Sequence, residues 1–246
     1  MLRAYCSGWD GGETPPDLDK EELHHLARVR RVRSGETVEI LNGRGDVAIC
    51  RVEAVSGKSV EITVIERNHH EPPALRRHLL VSVPKGKTLS LLLQKAVELG
   101  VSEITLLLTK NSEVDKERAE QKRDRLDAVL VEALKQSGNP WMPVLRTAVP
   151  LAEAMNSPDA DSVQRLCAAL HPEATPLWEV LQEKLQPRGT VEVYVGPEGD
   201  FAPDEYDLLA ESGCRFISLG PLVLKVETAA SLVMGTLGIW SRSRNS

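Results

Sequence analysis

Several things are missing from this 246-residue chain, and each absence narrows the reading. No apolar run approaches the roughly 20 residues that a membrane-spanning helix needs; the longest, such as Leu89 to Leu93 and Ile104 to Leu108, suit buried elements, so no membrane partner is expected. The start, Met1-Leu2-Arg3-Ala4-Tyr5-Cys6, lacks the apolar segment and small-residue cleavage site of a secretory signal, which points to the cytoplasm. Cysteines are few and scattered singly at 6, 50, 167 and 214, with no Cys-x-x-Cys pair. That fits buried thiols in a reducing compartment better than disulfides or zinc, and no metal site is expected. Positive charge is also short, with a formal net charge of -6. The deficit is uneven: residues 1–87 carry 14 Lys and Arg against 13 Asp and Glu, and the remainder 16 against 23, balances of +1 and -7. A local basic patch therefore survives inside an acidic total, and the cluster Arg28, Arg30, Arg31 and Arg33 is its densest part.

The chain carries no internal repeat and no low-complexity segment, and its length suits one large or two modest domains. Residues 1 to about 66 read as a β-rich unit with one helix, capped by Asp17 or Asp19 and running through Glu21 to Val29. The strands Thr37–Leu41 and Val47–Val55 flank Asn42-Gly43-Arg44-Gly45-Asp46, a hairpin signal because Asn-Gly tolerates positive φ. Val60–Ile65 alternates like a further strand. The polar, proline-containing stretch 67–77 reads as the interdomain linker. Beyond it strands and helices alternate: a strand at 79–83, a helix at 88–99, a strand at 104–108, then a long helix from about Asp115 to Gln136 stopped by Gly138 and Pro140. A short strand at Val144, a short helix near 150–155, a strand at 165–170 and a helix at 176–185 follow. This alternation implies a largely parallel sheet covered on both faces.

The chemistry-bearing stretch lies near the C-terminus. Val191-Glu192-Val193-Tyr194-Val195 runs into Gly196-Pro197-Glu198-Gly199-Asp200, and about twenty residues later Phe216-Ile217-Ser218 runs into Leu219-Gly220-Pro221-Leu222-Val223-Leu224-Lys225 before a helix of small residues. Two glycine-bearing loops at the carboxyl ends of strands are what an open α/β sheet presents to a ligand. Their glycines allow backbone amides to approach it closely. A flat base such as adenine, held by backbone hydrogen bonds and apolar contacts, fits such a pair. Taken singly, each loop reads equally well as a turn.

These two runs resemble the signature of the RsmE-type small-subunit ribosomal RNA methyltransferases. Further blocks agree in order: His24-His25-Leu26-x-x-Val29-x-Arg31, Lys85-Gly86 with Gln94 to Val101, and Glu132-Ala133-x-x-Gln136-Ser137-Gly138. The resemblance implies an α/β fold of the SPOUT class. A C-terminal, trefoil-knotted parallel-sheet methyltransferase domain (71–246) would follow a small N-terminal PUA-like β-barrel (1–70) that binds RNA. Such knots are exceptions to the usual topology rules. It further implies a homodimer that uses S-adenosyl-L-methionine to methylate uridine N3 in small-subunit rRNA, free or assembled. Carried over residue by residue, the cofactor site comprises Leu170, with His171 beside it, then Val195, Gly196, Pro197, Glu198 and Gly199, then Leu219, Gly220, Leu222, Val223 and Leu224. Lys225 and Glu198 are the candidate catalytic pair, a cation favouring the deprotonated base and a carboxylate accepting its proton.

The chain departs from the family pattern mainly at arginines. Lys110-Asn111-Ser112 stands where the family reads Glu-Arg-Ser, Asn139 where an arginine follows Gln-Ser-Gly, and Leu222 and Lys225 where two further arginines are usual. Lysine and asparagine cannot reproduce the bidentate phosphate contacts of a guanidinium. Arg28, Arg30, Arg31, Arg33 and Asn139 are the candidate RNA contacts. The cluster also suits a helix C-terminus, and Trp141 suits base stacking or packing equally. Two rival functions stay open: a SPOUT methyltransferase of a ribose 2′-OH or of tRNA, and a non-catalytic RNA-binding assembly factor.

Overall fold

The computed structural model describes residues 2–57, 59–84, 88–112, 123–155, 163–183 and 185–245. In chain order these form β1 (Leu2–Tyr5), α1 (Lys20–His24) continued by a π-helical turn (His25–Val29), β2 (Thr37–Leu41), β3 (Asp46–Ser56), β4 (Ser59–His69) and β5 (Leu75–Ser82). Next come α2 (Thr88–Glu98), β6 (Glu103–Leu108), α3 (Arg123–Ser137), β7 (Val144–Pro150), α4 (Leu151–Ala154), β8 (Val163–Ala168) and β9 (Thr175–Pro176). The chain ends with α5 (Leu177–Glu183), β10 (Gly189–Val195), α6 (Pro203–Glu211), β11 (Arg215–Ser218) and α7 (Val226–Asn245). The motif Lys85-Gly86 and the expected start of the long helix at Asp115 lie outside the described residues.

Two compact units result: Met1–Pro72 with Val131–Met142, and Pro73–Leu130 with Pro143–Ser246. The first holds a four-stranded sheet in the order β1-β2-β3-β4, with β1 parallel to β2 and the other pairs antiparallel. Its core is apolar, built on Leu26, Val38, Ile40, Cys50 and Val52, with Trp9 in the same buried cluster. Asp19 caps α1, its Oδ1 accepting from the backbone amides of Glu21 and Glu22 at 2.9 and 2.8 Å, the role expected of it. The 42–46 hairpin closes as an Asx turn, the Asn42 side-chain oxygen accepting from the Arg44 and Asp46 amides. Gly45 has φ 99, and a β-carbon there would meet the Trp141 ring at 2.6 Å and the His70 carbonyl at 2.7 Å. Trp141 therefore packs against this hairpin, edge-on to His69.

The second half of α3 was expected to belong with the alternating region, yet residues from Val131 cluster with the first unit. The cause is local chemistry. Arg3 donates to the carbonyls of Lys135 and Gln136 at 3.1 and 3.0 Å, satisfying helix-end acceptors, and pairs with Glu39 at 2.6 Å. Lys135, only 8% exposed, is neutralised by Glu22 and Glu132, each at 2.6 Å.

The stretch 67–77 is not a loop throughout. β4 continues to His69, pairing with β3 down to Asp46, and β5 begins at Leu75. Polar residues extend β4 because they have partners at its far end: Arg67 donates to the Gly12 and Glu13 carbonyls, and His69 pairs with Asp46 at 2.6 Å.

The second unit is a seven-stranded, wholly parallel sheet in the order β7-β6-β5-β10-β8-β11-β9. Its helices bury aliphatic faces, as α2 does with Leu89, Leu92, Leu93, Ala96 and Val97, and α7 packs on α2 and β5. Pro176, expected to open a helix, ends the two-residue edge strand β9 instead. A row of charged side chains crosses the sheet. Arg146, Glu103, His78, Glu192 and Arg165 come from β7, β6, β5, β10 and β8, with Arg146–Glu103 at 2.5 Å, His78–Glu192 at 3.7 Å and Arg165–Glu192 at 3.0 Å. Tyr194 adds a hydrogen bond to Glu192 at 3.0 Å. Burial alone would raise the Glu192 carboxyl, but His78, Tyr194 and Arg165 together hold it below the ordinary carboxylate range.

Candidate functional site at the carboxyl ends of three strands

Because β10, β8 and β11 are neighbours, their carboxyl ends lie side by side. Val195 pairs with Ala168 and Ala168 with Ile217. The loops leaving these three ends enclose a cleft of about 270 Å³, near the small end of the ~300–1,000 Å³ range of ligand pockets. One wall is Ala168, Ala169 and Leu170. The second is Val195, Gly196, Pro197 and Glu198, with Asp200. The third runs from Ile217 and Ser218 through Leu219, Gly220, Leu222, Val223, Leu224 and Lys225 to Val226 and Ala229 at the start of α7.

Of the expected cofactor residues, all but Gly199 and His171 line this cleft. Gly199 sits just behind it, its carbonyl accepting from the Asn111 side chain at 3.2 Å. The two candidate catalytic residues, Lys225 and Glu198, line the same cleft and are both exposed. Seven lining residues escaped the sequence reading: Ala168, Ala169, Asp200, Ile217, Ser218, Val226 and Ala229. Asp200 could have been found, since it closes the same glycine run. The small residues carry no chemistry of their own and are placed only by strand register.

Sequence dictates the conformation of both glycine loops. In the first, the Asp200 amide closes a turn onto the Pro197 carbonyl at 2.9 Å, and Asp200 itself adopts φ 61. That left-handed conformation is tolerated because its short carboxylate bonds locally: Oδ1 accepts from the Phe201 amide at 2.9 Å and the Tyr206 hydroxyl at 2.7 Å. Burial and the Asp200 carboxylate both push the Tyr206 phenol above its ordinary pKa, so it remains a donor. The chain then enters α6 with Glu205 accepting from the Ala202 amide at 2.9 Å. In the second loop Gly220 has φ 127, with Ser218 Oγ accepting from its amide at 3.3 Å. Lys225 supplies the first carbonyl of α7, accepting from Thr228 and Ala229.

His171 follows the first wall and stacks on Phe216 and Tyr206, with ring centroids 4.7 and 5.4 Å apart. Its Nδ1 accepts from the Glu173 amide at 3.2 Å. It thus braces the strand ends, and it is not among the residues lining the cleft.

The candidate RNA contacts lie in the first unit. Arg28, Arg30, Arg31 and Arg33 are all exposed, and no carboxylate pairs with them among the described residues. They follow the π-helical turn, where Arg30 and Val32 donate to the His25 and Leu26 carbonyls at 2.9 and 3.1 Å. Arg31 occupies the left-handed position of this helix stop, φ 54, where glycine is usual. Asn139 is half-buried and its side-chain oxygen accepts from the Trp141 amide at 3.0 Å.

Residues 70–238 match the family model for an RNA methyltransferase domain, and residues 18–65 match that for an RNA methyltransferase PUA domain. The chain belongs to the RNA methyltransferase domain family. Within it, the chain is 29% identical over 228 residues to the ribosomal RNA small subunit methyltransferase E of Mycobacterium bovis, covering 90% of this chain and 85% of that one. The protein of the same name from Bacillus subtilis is 28% identical, with coverages of 85% and 84%. A methyltransferase structure from Legionella pneumophila, in complex with bound cofactor SAM, superposes with a TM-score of 0.82 at 27% identity over 97% of both chains.

Proposed function

We propose that this protein is an S-adenosylmethionine-dependent methyltransferase of small-subunit ribosomal RNA, acting on uridine N3. The single observation that carries this is the cleft, whose three walls come from the strand ends and glycine loops described above. Its chemistry suits that cofactor: aliphatic side chains such as Leu170, Ile217, Leu219 and Leu224 for the faces of a purine, backbone groups of two glycine loops for its edge, and carboxylates at Glu198 and Asp200 for ammonium and hydroxyl groups. The Legionella structure with its bound SAM and the name of the curated relatives support the same reading.

When bound, S-adenosylmethionine supplies an electrophilic methyl group on a positively charged sulfur. The protein's share is positioning and exclusion of water, which convert a bimolecular displacement into a step within one complex. N3 lies on the pairing edge of uracil, so the target nucleotide enters the cleft unpaired or flipped out. The N3 proton must leave for the ring nitrogen to accept methyl. Lys225 stabilises the resulting negative charge and Glu198 accepts the proton, as both line the cleft and both side chains are exposed there. The N-terminal PUA-like domain, about residues 1–70, holds RNA through phosphate contacts from the exposed arginines, fixing register without reading sequence. Asn139 contributes a neutral contact of the same kind. The exposed apolar residues Leu91, Leu232 and Ile239 of α2 and α7 suit a homodimer. The C-terminal segment would be threaded as the knot that the family resemblance implies.

The test is incubation with labelled cofactor and unmethylated small subunits, followed by nucleoside mass spectrometry. 3-Methyluridine is the expected product. A 2′-O-methylated or tRNA-borne product would move the chain to another methyltransferase activity, and no transfer together with no cofactor uptake would leave a binding module.

A further inference from the structure

The turn after β6, Thr109–Ser112, is built as a rigid platform. Ser112 Oγ accepts from the Thr109 amide at 3.1 Å and shares hydrogen bonds with Ser82 Oγ at 2.7 Å and Thr109 Oγ1 at 2.9 Å. The Ser112 amide closes the turn onto the Thr109 carbonyl at 3.0 Å. Ser82 is fully buried and Thr109 9% exposed, so this hydroxyl knot is anchored in the sheet. Lys110 ties the same turn to α6, its amide donating to Glu205 Oε1 at 2.9 Å while its ammonium pairs with Asp204. Asn111 projects from the platform and donates through Nδ2 to two successive carbonyls of the cofactor loop, Gly199 at 3.2 Å and Asp200 at 2.9 Å.

We infer that Asn111 is a positioning residue for the cofactor loop, fixing Gly196–Asp200 in its ligand-ready shape. This rests on the reading of the cleft as the S-adenosylmethionine site. A peptide unit is planar, so pinning the Gly199 and Asp200 carbonyls also orients the amides of Asp200 and Phe201. Those amides are the ones that close the turn onto Pro197 and onto the Asp200 carboxylate. The left-handed Asp200 is thereby gripped on two sides, by Tyr206 at its side chain and by Asn111 at its carbonyl. With these hydrogen bonds made behind the loop, Gly196, Pro197, Glu198 and Asp200 are held in the wall of the cleft. Asn111, which stands where the resemblance puts an arginine, is thus engaged with the cofactor loop, and Lys110 with the helix behind it. A neutral amide suits the task because it donates two hydrogen bonds to carbonyls, whereas a carboxylate of the same shape can only accept.

Asn111→Ala and the near-isosteric Asn111→Asp separate this role from simple filling of space. Calorimetry with S-adenosylmethionine, thermal unfolding and steady-state kinetics with small subunits are the readouts. Both variants are expected to weaken cofactor binding about tenfold, the loss of two modest hydrogen bonds, with KM for the RNA substrate unchanged. Asn111→Ser, which keeps a donor of shorter reach, is expected to recover part of the affinity. Wild-type affinity in Asn111→Asp, or an effect confined to KM for RNA, overturns the inference while leaving the cofactor site intact. Absence of cofactor uptake by the wild-type protein overturns the cofactor reading itself, and the inference with it.

Discussion

Glu192→Gln probes how the sheet holds the three strand ends in register. The carboxylate is 4% exposed and sits between Arg165, 3.0 Å away, and His78 at 3.7 Å, with the Tyr194 hydroxyl at 3.0 Å. Glutamine keeps the shape and an acceptor for Tyr194 but removes the charge. Arg165, 8% exposed, bonds through Nε to the same Glu192 oxygen as Tyr194, so it keeps a neutral acceptor there and the Ser212 carbonyl at 3.2 Å but loses its counter-charge, and its second terminal nitrogen already lacks a partner. Breaking a buried pair in this way costs about 3–5 kcal/mol, because one charge is left uncompensated in a poorly solvated site. For a chain of this size that corresponds to a fall of roughly 10 °C in the unfolding midpoint. Glu192→Gln combined with Arg165→Met removes both charges and is expected to recover most of the loss. The pH dependence follows from the sign of the shift. The folded-state carboxyl is held below its ordinary range, so its contribution is present above that range and lost as pH falls through it. Urea unfolding followed by tryptophan fluorescence from pH 7 to pH 3 should show a steeper acid loss in wild type than in Glu192→Gln. A single variant within about 1 kcal/mol of wild type at pH 7 would refute the claim that this ladder holds the sheet together, since surface-like pairs are worth no more than that.

Other perturbations separate the remaining parts. Gly220→Val forces a β-branched residue into φ 127 with open space around its β-carbon, so the strain is purely backbone; a loss of about 1–3 kcal/mol and weaker S-adenosylmethionine binding are expected by thermal unfolding and calorimetry. Lys225→Ala should lower kcat by about 100-fold or more with nearly unchanged cofactor Kd, as measured by single-turnover methyl transfer. Arg31→Gly should stabilise the protein by about 1 kcal/mol through relief of the left-handed strain, yet weaken RNA binding and lower its salt slope by just under 1 in filter binding.

What could be read in the sequence was local. Each glycine loop follows an apolar strand and precedes a helix, a pattern contained within about fifteen residues, so Val195–Pro197 and Leu219–Leu224 could be placed at one site. The wall formed by Ala168, Ala169 and Leu170 could not be derived that way. Ala168 and Ala169 join the cleft only because β8 inserts between β10 and β11, a consequence of strand order that no local pattern carries. Charged residues misled in both directions. Arg67 and His69 made a strand look like a linker, because their partners Gly12 and Asp46 are distant in sequence. Glu192 lay inside an apolar run and Arg165 at the start of another strand, and these buried charges find each other only across the sheet. The attachment of residues 131–142 to the first unit depends on Arg3 and Glu22, more than a hundred residues away, and so had no sequence-local sign.

The cleft at the ends of β8, β10 and β11 is the centre of the account, and a crystal structure of the protein with S-adenosylmethionine tests it most directly. Cofactor density is expected between Leu170, the Gly196–Asp200 loop and the Leu219–Lys225 loop. Cofactor density elsewhere on the chain, with those loops unengaged, would contradict it.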